Sequence, residues 1–239
     1  MDSCLHYLST GHVFITPWDD LDMVVDALLE TDYAEEFCVA LDFDPCFIAQ
    51  LMAAGFLVMS MKIQGEGHPG PESYFLLLPK LHLIRSVLFF SDLHIKKSIK
   101  PLLPRYELKV DTDFQDIMEK CVHIHGDDWL TPPLQESLIQ IRTYKDLNVR
   151  PISFGVYRNG ELKAGEFGVV TGRVYTSYSG YYEENSAGTV QMVLTAQYLK
   201  EQGFAFLDLG MPLAYKDTLG ACTLVPSYFV RLFRSARAS

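Results

Sequence analysis

"ISFGVYRNGELKAGEFGVVTGRVYTSY", residues 152–178, contains three strand-like runs separated by two turn signals. "ISFGVY", "LKAGEFGVV" and "RVYTSY" are rich in β-branched and aromatic residues. Asn159-Gly160 and Thr171-Gly172 supply the turn chemistry, so the spacing predicts an antiparallel meander. Beyond it, a helix is expected from about Ser186 to Gln202, stopped by Gly203 and followed by a strand in "FAFLDL". "YFVRLF" reads as the last strand. Strands and helices in this order predict an α+β architecture.

Upstream, "DDLDMVVDALLETD" sets Leu21, Val24, Val25 and Leu28 on one helical face, and Asp44-Pro45 opens a second helix carrying Ile48, Leu51 and Met52. Gly55 is suited to ending it. The Gly- and Pro-rich run "KIQGEGHPGPES", residues 62–73, reads as a long loop before the strands "YFLLL" and "SVLFF". A domain boundary is therefore expected near residue 82, giving a small α/β domain over 1–82 and a larger one over 83–239. Within the larger part, Thr112 with Gln115 forms a capping-box pattern ahead of Phe114, Ile117, Met118 and Cys121. Thr131 and Pro132 mark the start of a helix presenting Leu134, Leu138 and Ile141.

A chain of 239 residues that is 49% hydrophobic and 13% aromatic can bury a substantial core, which excludes wholesale disorder. Neither a secretion signal nor an uncharged apolar run of about 18 residues is found, so a cytosolic protein without membrane contact is expected. The five cysteines, Cys4, Cys38, Cys46, Cys121 and Cys222, are scattered without a C-x-x-C pair; reduced, mostly buried thiols are expected. His123 and His125 lack a second ligand pair, and no metal site is expected.

The net charge of −10 is unevenly spread. Met1 to Met61 contains no Lys or Arg, whereas residues 80–109 carry seven (Lys80, Arg85, Lys96, Lys97, Lys100, Arg105, Lys109) against Asp92 and Glu107. Such a segment fits either a phosphate-contacting face or ordinary solvated surface. Arg231, Arg234 and Arg237 form a third basic group.

The order of three antiparallel strands, a helix and a further strand suits the core of a GCN5-related N-acyltransferase (GNAT), whose splayed sheet leaves a cleft beside the central helix. "SDLHIKKSIK", residues 91–100, resembles the L-H-I-x-[KR]-S-[MI]-K signature of the bacterial leucyl/phenylalanyl-tRNA protein transferases. Four more stretches follow in the order of that family: "LDFDPCFIAQLMAAGFL", "DFQDIMEKCV", "EENSAG" and "LGAC". The likeness covers about residues 36–234.

The resemblance implies a GNAT-like C-terminal domain that uses no coenzyme A. It implies an aminoacyltransferase that moves a bulky apolar residue from aminoacyl-tRNA to a protein beginning with Arg or Lys, marking it for degradation; a monomer is expected, although the sequence does not fix the oligomeric state. Trp129 then falls where a tryptophan contacts the terminal adenosine of the tRNA, and Met59 where a second one is expected. The family's catalytic Glu falls on Ser177 or Tyr178, depending on a one-residue gap; its Asp matches Asp208, and its Gln falls on Gly210. Lining positions of the donor side-chain pocket map to Glu166, Gln191, Leu194, Tyr198 and Leu207, so two of the five are polar.

Glu166 is the candidate replacement base, facing the cleft from the strand before "RVYTSY"; a solvent-facing Glu166, or a polar donor pocket favouring an aminoacyl group other than Leu or Phe, are the alternatives. Asn185 and Ser186 stand at a helix N-terminus suited to a phosphate or developing oxyanion, or simply to capping. Lys96, Lys97, Lys100 and Arg105 are the candidates for the tRNA backbone. A catalytically silent relative that binds aminoacyl-tRNA ends or basic protein N-termini is a second reading. An acyl-CoA-dependent N-acetyltransferase is a third, weakened because the [QR]-x-x-G-x-[GA] pyrophosphate loop is missing.

Overall fold

The computed structural model describes residues 5–31, 33–64, 73–81 and 84–238. Most of the expected loop and the expected boundary at residue 82 lie outside the described residues. In chain order the strands are β1 (His6–Tyr7), β2 (Val13–Phe14), β3 (Leu57–Gln64), β4 (Ser73–Lys80), β5 (Arg85–Leu88), β6 (Glu107–Val110), β7 (Val149–Arg158), β8 (Glu161–Thr171), β9 (Val174–Tyr182), β10 (Phe206–Asp208) and β11 (Cys222–Leu224). The helices are α1 (Leu21–Glu30), α2 (Pro45–Ala54), α3 (Phe114–His125), α4 (Pro132–Ile141), α5 (Ala187–Glu201), α6 (Ala214–Asp217) and α7 (Pro226–Arg237). They form two compact units, one from Met1–Leu83 with Gly126–Leu147, the other from Ile84–His125 with Asn148–Ser239.

In the first unit, the Asp20 carboxylate accepts from the backbone N–H groups of Asp22 and Met23, starting α1, which buries Leu21, Val24, Val25 and Leu28. Asp44 caps α2 in the same way. Gly55 ends it at φ 102°, a left-handed conformation that costs other residues a steric clash. β3 and β4 pair antiparallel, so Lys62, Ile63, Gln64 and Ser73 belong to strands rather than to the expected loop. Thr131 precedes α4 as its N-cap without a side-chain capping bond. Its hydroxyl instead meets the Ser60 hydroxyl at 2.7 Å, and the Ser60 N–H donates to the Trp129 carbonyl at 2.8 Å.

The second unit is built on a sheet of order β11-β5-β10-β9-β8-β7-β6, antiparallel except for the parallel pair β9 and β10. Asn159 and Gly160 take φ 54° and 82° in the β7–β8 hairpin, as a mirror-image turn requires. Strand alternation sends Phe154, Glu166 and Tyr175 to the face covered by α5, and Phe167 to the face covered by α3, where it meets Phe114. α3 buries Phe114, Ile117, Met118 and Cys121, the expected residues, but the capping box does not form: the Thr112 hydroxyl donates to the Val110 carbonyl instead.

"YFVRLF" is helical, within α7, and the last strand is β11, in "CTL". Pro226 fits the first turn of a helix, and Phe229, Val230, Phe233 and Ala236 form a buried helical stripe; a six-residue run with five apolar residues could not separate the two periods. Of the described cysteines, Cys38 and Cys121 are buried while Cys46 and Cys222 are exposed.

A register shift between Phe167 and Gly168 pairs Phe167 with Ser179 and Gly168 with Ser177, leaving Tyr178 as the extra residue of a β-bulge. Gly168 is required there. A Cβ at that position would lie 2.2 Å from the Thr176 carbonyl oxygen and 2.6 Å from the Tyr175 hydroxyl. Gly168→Ala is expected to cost about 1–3 kcal/mol, because a backbone carbonyl cannot step aside as a flexible side chain would. A denaturant midpoint equal to that of the parent protein would refute this.

Candidate functional site

β10 runs beside β9 only as far as Asp208 opposite Thr176. Past that point the chain stays paired with β5 alone, with the Leu209 N–H donating to the Ser86 carbonyl at 2.9 Å and the Ser86 N–H to the Gly210 carbonyl at 2.7 Å. β9 continues against β8 to Tyr182. Beyond Thr176 the two parallel strands therefore part, and the opening lies where the bulge at Tyr178 bends β9.

Glu166 comes to this opening from β8. It is 5% exposed, and its Oε2 accepts from the Ser177 hydroxyl at 2.9 Å. Burial pushes its carboxyl up to about 7, although hydrogen bonds from Ser177 and Gln191 and the charge of Lys216 pull the other way. The Tyr175 hydroxyl is close enough to influence that carboxyl, yet it has no well-formed hydrogen bond of its own. Gln191, buried on α5, also donates to the Thr195 hydroxyl at 2.9 Å. Together these residues make a buried polar cluster between the sheet and α5, beside the packed rings of Phe154, Tyr175 and Tyr198.

Ser177 and Tyr178, the two positions onto which the resemblance sets the family's carboxylate, point to opposite faces. Ser177 shares the face of Glu166, whereas the Tyr178 ring lies 6.2 Å from that of Phe167 on the α3 face. Asp208 also lies away from Glu166. Its carboxylate binds Arg85 through two bonds of 2.8 and 2.7 Å and accepts from the Thr176 hydroxyl and the Gly210 N–H. Burial opposes ionisation of this carboxyl, but the Arg85 charge and these bonds outweigh it and hold the carboxyl below its ordinary pKa. Gly210, at φ 68°, contributes backbone only.

Leu194 and Tyr198 are half-buried on α5 and Leu207 is buried on β10, all toward the same side as Glu166. Asn185 and Ser186 are exposed; Ser186, at φ 70°, makes no side-chain capping bond. In the first unit Met59 and Trp129 are both half-buried, on segments joined by the Ser60–Trp129 bond. Ile95, Ile99, Leu102 and Leu103 anchor the basic segment on Val190 and Val193 of α5, leaving Lys96, Lys97, Lys100 and Arg105 exposed. Arg85 drops out of that basic surface, being consumed by Asp208.

One residue of the opening has no sequence signal. Lys216, on α6, is 5% exposed, and its Nζ donates to the Leu209 carbonyl at 2.5 Å and the Met211 carbonyl at 2.7 Å. A lysine between exposed Tyr215 and Asp217 reads as surface until the fold is known. Among the described residues no group of three or more His, Cys, Asp or Glu could hold a metal ion, and no helix is long and apolar enough to cross a membrane.

The profile of the leucyl/phenylalanyl-tRNA protein transferase family matches residues 87–234. A leucyl/phenylalanyl-tRNA–protein transferase of Pseudomonas putida (strain W619) is 33% identical over 144 residues, covering 57% of this chain and 61% of that protein. One from Hydrogenovibrio crunogenus is 27% identical over 152 residues, covering 63% and 59%. The chain thus spans about three fifths of the length of these curated relatives. Among solved structures, FemX superposes at a TM-score of 0.47 with 11% identity, over 93% of this chain and 83% of that one.

Proposed function

The chain belongs to the leucyl/phenylalanyl-tRNA protein transferase family, and on that premise we propose that it transfers an aminoacyl group from tRNA to the N-terminal amine of an acceptor protein. The second unit is read as a GNAT-like acyltransferase, its parting parallel strands receiving the acyl ester. In the reaction the amine nitrogen attacks the ester carbonyl, the new amide bond forms, and the bond to the ribose oxygen breaks. One proton must leave the nitrogen and one must reach that oxygen. The observation that carries the proposal is the buried Glu166 carboxyl beside Ser177, titrating near 7, where a proton acceptor is most effective.

Lys96, Lys97, Lys100 and Arg105 are assigned to the tRNA backbone. Trp129, with Met59 beside it in the chain's first unit, is assigned to the terminal adenosine on the family resemblance alone. The acceptor class is a protein beginning with Arg or Lys, which transfer would mark for degradation.

Incubating the purified full chain with each aminoacyl-tRNA and a peptide starting with Arg or Lys is expected to add one aminoacyl mass to the peptide. Lys96→Glu, Lys97→Glu and Lys100→Glu together are expected to raise KM for the tRNA at least tenfold and flatten its salt dependence, since each lost phosphate contact removes about one unit of the slope. Failure to transfer from any donor would count against the reaction; tight binding of charged tRNA without transfer would select a silent relative instead.

A further inference from the structure

We propose that Lys216 is the proton donor to the departing ribose oxygen, working opposite Glu166 across the opening between β9 and β10. This rests on the aminoacyl-transfer reading above. The side chain of Lys216 is buried although it sits in a short helix whose neighbours are exposed, and two carbonyls just past the end of β10, those of Leu209 and Met211, fix its Nζ. An ammonium carries three N–H donors, so one remains after those two bonds. Holding a carbonyl pair does not require a charge, and burying a charge for that purpose alone is costly.

The electrostatic surroundings give the charge a use. Burial lowers the Lys216 ammonium to about 8, while Asp208 on β10 and Glu166 on β8 support its charged form and Arg85 on β5 opposes it. Tyr215, its neighbour on α6, stacks its ring 5.7 Å from Nζ and itself feels Glu166. Around Glu166 stand Ser177 and Tyr175 from β9, Gln191 from α5 and, more remotely, Cys121 from α3. An acid and a base displaced toward neutrality from opposite sides is the arrangement that acid–base chemistry near pH 7 needs.

The proton balance closes between them. The Glu166 carboxylate takes the proton that the attacking nitrogen loses; the Lys216 ammonium gives one to the ribose oxygen as the carbon–oxygen bond breaks. Lys216 then regains a proton from the Glu166 carboxylic acid, directly or through water. The net change is one proton moved from amine to alcohol.

The test compares Lys216→Arg and Lys216→Met with the parent in single-turnover transfer to a peptide amine between pH 6 and 9.5, using the tRNA-borne donor that the parent transfers fastest. The parent rate is expected to fall above about pH 8. Lys216→Arg, whose guanidinium stays charged, should lose that fall, and Lys216→Met should be slower by about 10²- to 10⁴-fold at pH 7.

A p-nitrophenyl ester of the same amino acid, whose leaving group needs no proton, should restore Lys216→Met to within about tenfold of the parent. Equal losses in both variants with the fall above pH 8 retained, or no recovery with the activated ester, would overturn the assignment. A parent that transfers from the activated ester but from no tRNA would fault the tRNA reading; one that transfers from neither would remove both.

Discussion

Asp208→Leu and Arg85→Met are each expected to lower the free energy of unfolding by roughly 3–5 kcal/mol, the cost of leaving one member of a buried ion pair without the other. The pair is almost wholly sealed, with side-chain exposures of 2% for Arg85 and 0% for Asp208. It sits at the junction of four chain segments, β5, β9, β10 and α7: Asp208 reaches Thr176 on β9 and the Gly210 N–H, and the Arg85 guanidinium lies 4.4 Å from the centroid of the Phe229 ring on α7. Arg85 Nη1 is buried without a hydrogen-bond partner, so the pair is already incompletely satisfied. Replacing both, as Arg85→Met with Asp208→Leu, should therefore cost less than either single change, a non-additivity that equilibrium unfolding of the four proteins measures directly.

The same experiment separates support from chemistry. Asp208 lies in the ion pair rather than among the groups that contact Glu166, and the double variant removes its support of the Lys216 charge together with the opposition of Arg85, so that variant, normalised to folded protein, should keep its transfer rate within about tenfold. Single variants no less stable than the parent would dismiss this account of the pair.

The difference between Asp208 and Glu166 was not legible in the chain alone. Helix faces were, because a stripe such as Leu21, Val24, Val25 and Leu28 is set by local periodicity and its caps by adjacent residues. So was the meander: Asn159-Gly160 forms the first turn in backbone conformations few residues tolerate, and Gly172 at φ 53° opens the second, which is Gly172-Arg173 because Thr171 stays in β8 opposite Val174. "YFVRLF", 228–233, reads as a strand because so short a run, apolar but for Arg231, satisfies both periods, whereas Pro226 ahead of it fits the first turn of a helix. Which face a β9 residue takes depends on the bulge at Tyr178, a feature of pairing between strands that no single strand encodes. Arg85 is the extreme case, since its buried partner Asp208 lies 123 residues further along the chain.

Glu166→Gln is expected to change rate and stability in opposite directions. In its proposed role as proton acceptor, Glu166 acts only when ionised, so transfer by the parent should rise with pH through about 7. The amide, unable to accept the proton, should be slower by about 10²- to 10⁴-fold at pH 7.5. Stability carries the reverse sign. A carboxyl raised from 4.5 to about 7 by burial favours folding in its protonated form; that contribution is complete below 4.5 and is lost as pH climbs through 7.

The loss amounts to roughly 3 kcal/mol, because above pH 7 the folded protein must hold an ionised carboxylate where Ser177 and Gln191 are neutral partners. The gap in unfolding free energy between Glu166→Gln and the parent should therefore widen in favour of the variant by about that amount from pH 4.5 to pH 8.5. A carboxylate kept only for packing would predict a stabilised variant of undiminished rate. One on the surface would predict no pH-dependent gap, so rate and stability measured across the same pH range distinguish a working base from either alternative.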